Sequence, residues 1–240
     1  MIKLENVTYQ YNSQQFKFNC EVQKGEWVTV LGPSGAGKST LLSLIAGFIN
    51  PKSGHIFLNG IDETNTRPAQ RPISMLFQDN NLFMHLTVEQ NLALGLSSTM
   101  KLKQVQKQKL IEVAQSIDLF SELKKYPDQL SGGQKQRVAL GRCLLQHKPI
   151  FLLDEPFSSL DPKLKNEMFK LLNEIYHKYN LTIIMVTHQL EDIQSPTNRC
   201  FVIENGTIIY DGSFSALTKI ENQSIAKSLG LINEQLNNKK

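Results

Sequence analysis

Two spacings of apolar residues alternate along the chain. Trp27-Val28-Thr29-Val30-Leu31, Ile73 to Phe77, Ile150-Phe151-Leu152-Leu153 and Thr182 to Thr187 are short, β-branched runs that predict buried strands. Leu41 to Ala46, stopped by Gly47, reads as a helix, as do Gln136 to Leu145 and Pro162 to Tyr179. Leu110, Val113, Ala114 and Ile117 fall at i, i+3, i+4 and i+7, predicting an amphipathic helix from about Lys103 to Asp118. Thr87-Val88-Glu89-Gln90 fits a capping box, with Thr87 as N-cap. Leu4 to Tyr11 and Phe16 to Val22 predict antiparallel strands joined by Asn12-Ser13-Gln14-Gln15. His55 to Leu58 ends at the turn Asn59-Gly60, and Asn205-Gly206 closes a hairpin of Phe201–Ile203 with Thr207–Tyr210. The pattern is α/β, with antiparallel strands at the start and a helical insertion over residues 86–148. Beyond Asp211 the helical patterning is weak.

The loop after Leu31 carries the first chemistry. Gly32, Pro33, Ser34, Gly35, Ala36, Gly37, Lys38, Ser39 and Thr40 fit G-x-x-x-x-G-K-[ST], between a predicted strand and a predicted helix. Such a loop turns backbone N–H groups around phosphate oxygens, and the helix N-terminus adds its partial positive charge. Lys38 is placed to reach the β- and γ-phosphates, and the Ser39 hydroxyl to ligate Mg²⁺. The chain is expected to bind a nucleoside triphosphate with Mg²⁺.

Gln78, Asp154, Glu155 and His188 each fall at or just past the carboxyl end of a predicted core strand, where open α/β sheets bind ligands. Asp154 suits the second sphere or water shell of Mg²⁺, and Glu155 suits orienting or deprotonating the attacking water. Taken singly, each has a plain structural reading as a loop, cap or core residue. Leu130-Ser131-Gly132-Gly133-Gln134 precedes another predicted helix and forms a second glycine-framed anion site. A helix cap explains Ser131 but leaves Gly132-Gly133-Gln134 over. One nucleotide does not need two such sites from one chain, whereas a nucleotide shared by two chains does.

Bulk properties narrow the class. The 240 residues suffice for a full core. A charge of +4, from 26 basic and 22 acidic residues without a dense basic run, argues against nucleic acid as a partner. Cys20, Cys143 and Cys200 are widely spaced, which predicts free thiols in a reducing compartment. The N-terminus does not read as a signal peptide and no apolar run reaches membrane-spanning length, so a soluble chain is expected.

The set Gly32–Thr40, Gln78, Leu130–Gln134, Ile150–Glu155, Ser159-Leu160-Asp161 and His188 resembles the nucleotide-binding subunit of an ATP-binding cassette (ABC) transporter, over residues 1 to about 215. That resemblance implies a P-loop cassette with a RecA-like core and β subdomain (about 1–85 and 149–215), a helical signature subdomain (86–148) and a tail (216–240). It implies a head-to-tail homodimer holding two ATP molecules, each between one P-loop and the partner's Ser131, Gly132, Gly133 and Gln134. Tyr11 would stack on adenine, with Tyr9 on the other strand face as the competing choice. His188 would touch the γ-phosphate, Asp161 would line the dimer seam, and Gln78 would link Mg²⁺ and water to a membrane subunit. Gly141 stands where the family usually has alanine, which suggests a softer helix. Arg71 to Phe83 and Leu94-Gly95-Leu96 are most similar to ATPase subunits of bacterial thiamine importers. This implies a peripheral protein on the cytoplasmic side of the inner membrane, bound to permease subunits and indirectly served by a periplasmic solute-binding protein. ATPases of iron, polyamine, sugar or anion importers remain alternatives. A soluble non-transport ABC ATPase is less favoured, because such proteins carry a coiled coil, zinc-binding cysteines or a second cassette.

Overall fold

The computed structural model describes residues 2–188, 199–217, 219, 225 and 229. In chain order its elements begin with β1 (Ile2–Tyr11), β2 (Gln14–Val22), β3 (Trp27–Leu31), α1 (Lys38–Ala46), β4 (Ser53–Leu58), β5 (Ile61–Asp62) and β6 (Ile73–Leu76). There follow α2 (Val88–Ala93), α3 (Gln104–Ser116), α4 (Gly132–Leu145), β7 (Ile150–Asp154) and α5 (Pro162–Tyr179). The last are β8 (Thr182–Val186), β9 (Arg199–Glu204), β10 (Thr207–Ser213) and the short α6 (Phe214–Leu217). They divide into two compact units, Met1–Arg71 with Thr182–Lys240, and Pro72–Leu181.

In the first unit the strands lie in the order β5-β4-β1-β2-β10-β9-β3-β8. β3 pairs in parallel with both β8 and β9, which explains why it reads as an unbroken apolar run: a central parallel strand is covered on both faces. Val28, Val30, Ile183, Met185, Phe201 and Ile203 are fully buried there. The β1–β2 hairpin is tighter than its sequence predicts. Tyr11 pairs with Gln14, so the turn is Asn12-Ser13 alone, with Asn12 taking the left-handed backbone (φ 52°) that asparagine tolerates.

Arg71 closes this unit at the far end of α1. It is fully buried and its guanidinium donates to Leu44 O and Ile45 O (2.8 and 2.7 Å), Thr64 O and Thr66 O. A helix leaves its last carbonyls unpaired and slightly negative, so a cation there satisfies both needs. Burial pushes the Arg71 pKa down from its ordinary value. The chain re-enters the unit at Thr182, whose buried hydroxyl accepts from Gly25 N at 2.9 Å.

In the second unit β6 and β7 pair in parallel, with Leu76 opposite Leu153, and α2 to α5 supply the rest. Thr87 caps α2 with the reciprocal Gln90 bonds that the sequence predicts. α4 begins at Gly132, four residues earlier than predicted, because Ser131 is itself the N-cap. Cys143 and Cys200 are buried and Cys20 half-buried, all as free thiols; burial pushes the Cys143 thiol up to about 12.

Gly141 does not mark a soft helix. A Cβ at that position would lie 2.5 Å from Ile117 Cδ1 and 2.8 Å from Leu92 Cδ2, both on fully buried side chains. Gly95 makes the reciprocal approach just after α2, where a Cβ would lie 2.5 Å from the Arg142 carbonyl oxygen and 2.9 Å from Leu145 Cβ. The two glycines let α2 and α4 meet closely. Alanine at 141 gains about 1 kcal/mol of helix propensity, but overpacking a core costs about 1–3 kcal/mol. Urea denaturation should therefore find Gly141→Ala less stable than wild type, and Gly95→Ala less stable still, because a carbonyl cannot swing aside. Stabilisation by Gly141→Ala would show that the contact is slack.

Candidate nucleotide-binding and hydrolysis site

The phosphate loop runs from Gly32 into α1 and is shaped by its neighbours. Gly32 (φ 150°) passes so close to β9 that a Cβ would sit 2.2 Å from Ile203 O. Gly37 (φ 111°) lies under the Phe16 ring, which a Cβ would meet at 2.8 Å. Gly206, in the β9–β10 turn, donates to Ala36 O at 2.9 Å and accepts from Lys17 N at 2.8 Å. The loop is thus fastened to β2, β9 and the turn before β10 by groups far apart in sequence. α1 starts at Gly37 without any side-chain cap, so its first amides are not taken by a capping side chain. Lys38 is only 7% exposed, and its ammonium donates to Gly32 O and Pro33 O at 2.8 and 2.9 Å. An uncapped helix N-terminus with a buried cation beside it is suited to an anion.

Two more residues of the first unit flank this loop. Thr187 N donates to Val30 O (3.2 Å) where Val30 pairs with Val186, so His188 follows on at the level of Gly32 and is exposed. Tyr11 ends β1 with 62% of its surface exposed, and its neighbour across the turn, Gln14, donates to Gly35 O at 3.4 Å. Tyr9 packs on Phe16, ring centroids 6.1 Å apart.

The second unit holds the carboxylates. β6 and β7 run in register, so Gln78 and the Asp154-Glu155 pair emerge from the same ends of adjacent strands. Glu155 has φ 46°, a left-handed backbone that is unfavourable for glutamate, and a proline follows it. Ser158 fastens the turn, its N and Oγ donating to Glu155 O at 3.3 and 3.1 Å. Asp161 caps α5, with Oδ1 accepting from Lys163 N and Leu164 N, both at 3.0 Å.

Ser131 to Gln134 form a complete capping box. Ser131 Oγ accepts from Gln134 N (3.2 Å), and Gln134 Oε1 accepts from Ser131 N (3.0 Å). The cap therefore accounts for Gln134 as well as Ser131. It does not account for exposed Gly132, whose amide and that of Gly133 are ones a helix leaves unpaired.

Three positions escape motif reading. Fully buried Asn91 donates to Phe83 O, Leu86 O and Thr87 O, all at 3.0 Å, and accepts from Phe83 N at 2.9 Å. Arg142 holds the same loop from α4, donating to Asn81 O (2.8 Å) and Asn80 O (3.1 Å) with its guanidinium 5.9 Å from the Phe83 ring centre. Asn80 and Asn81 are both left-handed (φ 58° and 45°), and between them these groups present Phe83 and Met84 half-exposed. Gln136 is the third. The one sequence signal for Asn91 and Gln136 is a polar residue on an otherwise apolar helix face.

A strand, a glycine loop and an uncapped helix with its lysine define a P-loop nucleotide-binding protein, and the capped glycine turn of α4 narrows the class. The chain belongs to the ABC transporter family, which matches it over residues 16–158. It is 52% identical over 217 residues to the thiamine import ATP-binding protein ThiQ of Photorhabdus laumondii, covering 90% of this chain and 92% of that one. The protein of the same name from Yersinia pestis is 54% identical over the same shares. Among solved structures, a dimeric ATP-binding cassette with ADP and phosphate is 29% identical (TM-score 0.76), covering 89% of this chain and 98% of that one. A cassette from Clostridium perfringens, part of an ABC transporter complex, is 28% identical (TM-score 0.82), covering 94% of each. The fold is that of a P-loop ABC cassette, and the family binds nucleotide.

Three mutations separate binding from packing. Lys38→Ala should abolish tight ATP binding in fluorescence titrations, because it removes the cation inside the loop. Tyr11→Ala should weaken nucleotide binding by about 1–3 kcal/mol if the ring stacks on adenine, while Tyr9→Ala lowers thermal stability instead. The opposite pattern would assign the stacking to Tyr9.

Proposed function

We propose that this chain is the ATP-hydrolysing subunit of a bacterial thiamine importer. The observation that carries this reading is 52% and 54% identity, over nine-tenths of both partners, to thiamine import ATP-binding proteins. The loop Gln78–His85 supports it: Gln78 is expected to link to a membrane subunit, and the loop is bonded by Asn91 and Arg142 with Phe83 and Met84 half-exposed. No helix among the described residues is long and apolar enough to cross a membrane, and the permease of this proposal is a separate set of subunits. The cassette then works at the cytoplasmic face of the inner membrane, as a homodimer served by a periplasmic solute-binding protein.

In this mechanism the amides of Gly32 to Thr40 and the Lys38 ammonium hold the β- and γ-phosphates. The partner's signature turn, Ser131 to Gln134, closes on the γ-phosphate with the unpaired amides of Gly132 and Gly133. Asp161 lies along the dimer seam and Tyr11 against the adenine. Glu155 accepts a proton from water as the water oxygen attacks the γ-phosphorus, and the bond to the β-phosphate oxygen breaks to release ADP. His188 donates to the γ-phosphate oxygens. The Ser39 hydroxyl with the Gln78 amide and Asp154 carboxylate is a hard-oxygen set suited to Mg²⁺, which usually binds through one or two carboxylates plus substrate phosphates. Mg²⁺ would there neutralise charge developing on the phosphates.

Glu155→Gln tests the chemistry. The amide keeps the shape but not the base, so hydrolysis should fall by about 10²–10⁴-fold with ATP binding intact. The variant should elute as a dimer in ATP and Mg²⁺ and as a monomer in ADP, and adding Ser131→Arg should restore the monomer. Hydrolysis at the wild-type rate would remove Glu155 from the mechanism. The solute is tested on the complex with its permease in vesicles: thiamine-loaded binding protein should raise ATPase activity, and spermidine, iron or sugar should not. Stimulation by one of those would leave the ATPase reading and remove thiamine.

A further inference from the structure

The Glu155-Pro156 step is conformationally costly. Glutamate rarely takes φ 46°, and a following proline further restricts the backbone. Such a backbone persists only where its surroundings over-determine it. Three contacts do so here. Ser158 holds Glu155 O, and Phe157, only 1% exposed, packs edge-on against Phe169 of α5 with centroids 4.9 Å apart. The third is the side chain of Gln136, on the second turn of α4, whose Nε2 donates to Pro156 O.

Gln136 is fully buried, and its Oε1 has no hydrogen-bond partner among the described residues. An unsatisfied buried amide oxygen is costly, and an apolar side chain of similar length would remove that cost. As a purely structural residue it is therefore a poor choice. What the amide does supply is an N–H at the carbonyl that follows Glu155, delivered from the helix that Ser131 starts.

We propose that Gln136 is a positioning residue for Glu155, holding the strained Glu155-Pro156 turn in register with the N-terminus of α4. This rests on the reading of Glu155 as the general base. Because the signature turn and the base belong to different ATP sites of the proposed dimer, Gln136 ties the fit of α4 against one nucleotide to the aim of the carboxylate at the other. Misplacing a catalytic group by about 1 Å costs on the order of 10²-fold, so small relaxations of this turn reach the rate.

The test is Gln136→Met in the full-length chain, assayed for melting temperature, ATP affinity, single-turnover hydrolysis and its pH dependence. Methionine is unbranched and fills irregular gaps, so the fold should hold. ATP affinity should match wild type while the hydrolysis rate falls by about 10–100-fold. In a Glu155→Gln background Gln136→Met should slow the reaction no further, since the group it positions is gone. Ser158→Ala, at a half-buried position, releases the same turn from its other side and should slow hydrolysis with the melting temperature unchanged. A wild-type rate in both Gln136→Met and Ser158→Ala, with Glu155→Gln inactive, would overturn this inference alone. A further fall in the double mutant would also overturn it. A wild-type rate in Glu155→Gln would instead overturn the reading of the base.

Discussion

A loop of backbone amides binds phosphate well only if it is held in shape beforehand, because amides free to rotate would lose in entropy what they gain in hydrogen bonds. Here that shape is imposed from outside the motif. Gly32 is pressed on the carbonyl of Ile203, Gly37 lies beneath Phe16, and Gly206 bonds Ala36. Arg71 holds the opposite end of α1. The motif's glycines are as much a record of these close neighbours as of the ligand. The antiparallel strands, which bring no catalytic group, earn their place by delivering Phe16 and the β2 edge to the loop.

The two helix N-termini solve different problems. α1 begins without a side-chain cap, leaving its first turn to a ligand of the same chain, with a buried lysine beside it. α4 is capped by Ser131 and Gln134, which fixes its first turn before any partner arrives. A surface that must meet a second molecule gains from being rigid in advance. The Gln78–His85 loop, proposed to meet the permease, is set in advance in the same way: Asn91 satisfies four backbone groups in it and just after it with one side chain.

Local signals carried most of the fold. The strand runs around the P-loop, the Thr87 capping box, and α5 from Pro162 to Tyr179 are each set by nearest neighbours along the chain, and they stand as the sequence predicts. Motif spacing likewise located the P-loop, Asp154-Glu155 and the signature turn. What escaped depends on contacts between distant segments. Gly141 reads as a weak helix residue until Ile117 and Leu92 are seen against it, and Gln136 is one more polar residue until Pro156 lies beneath it. The start of α4 was misplaced for a local reason: glycine's poor propensity hid a first turn that the Ser131 cap secures. The roles proposed for Tyr11, Asp161 and His188 come from the family resemblance, and no pattern in one sequence could assign them.

The chain leaves its first unit at Arg71 and returns at Thr182, and both junctions are anchored by buried polar side chains. Everything between them is one uninterrupted stretch of sequence. That stretch contains the Ser131–Gln134 turn, the proposed base Glu155, the turn bonded by Gln136, and the loop proposed to meet the permease. The first unit keeps the phosphate loop and the tyrosine. In genetic terms, a single exchange between those two anchors would move the proposed base and the loop proposed to meet the permease together, while leaving the phosphate loop behind.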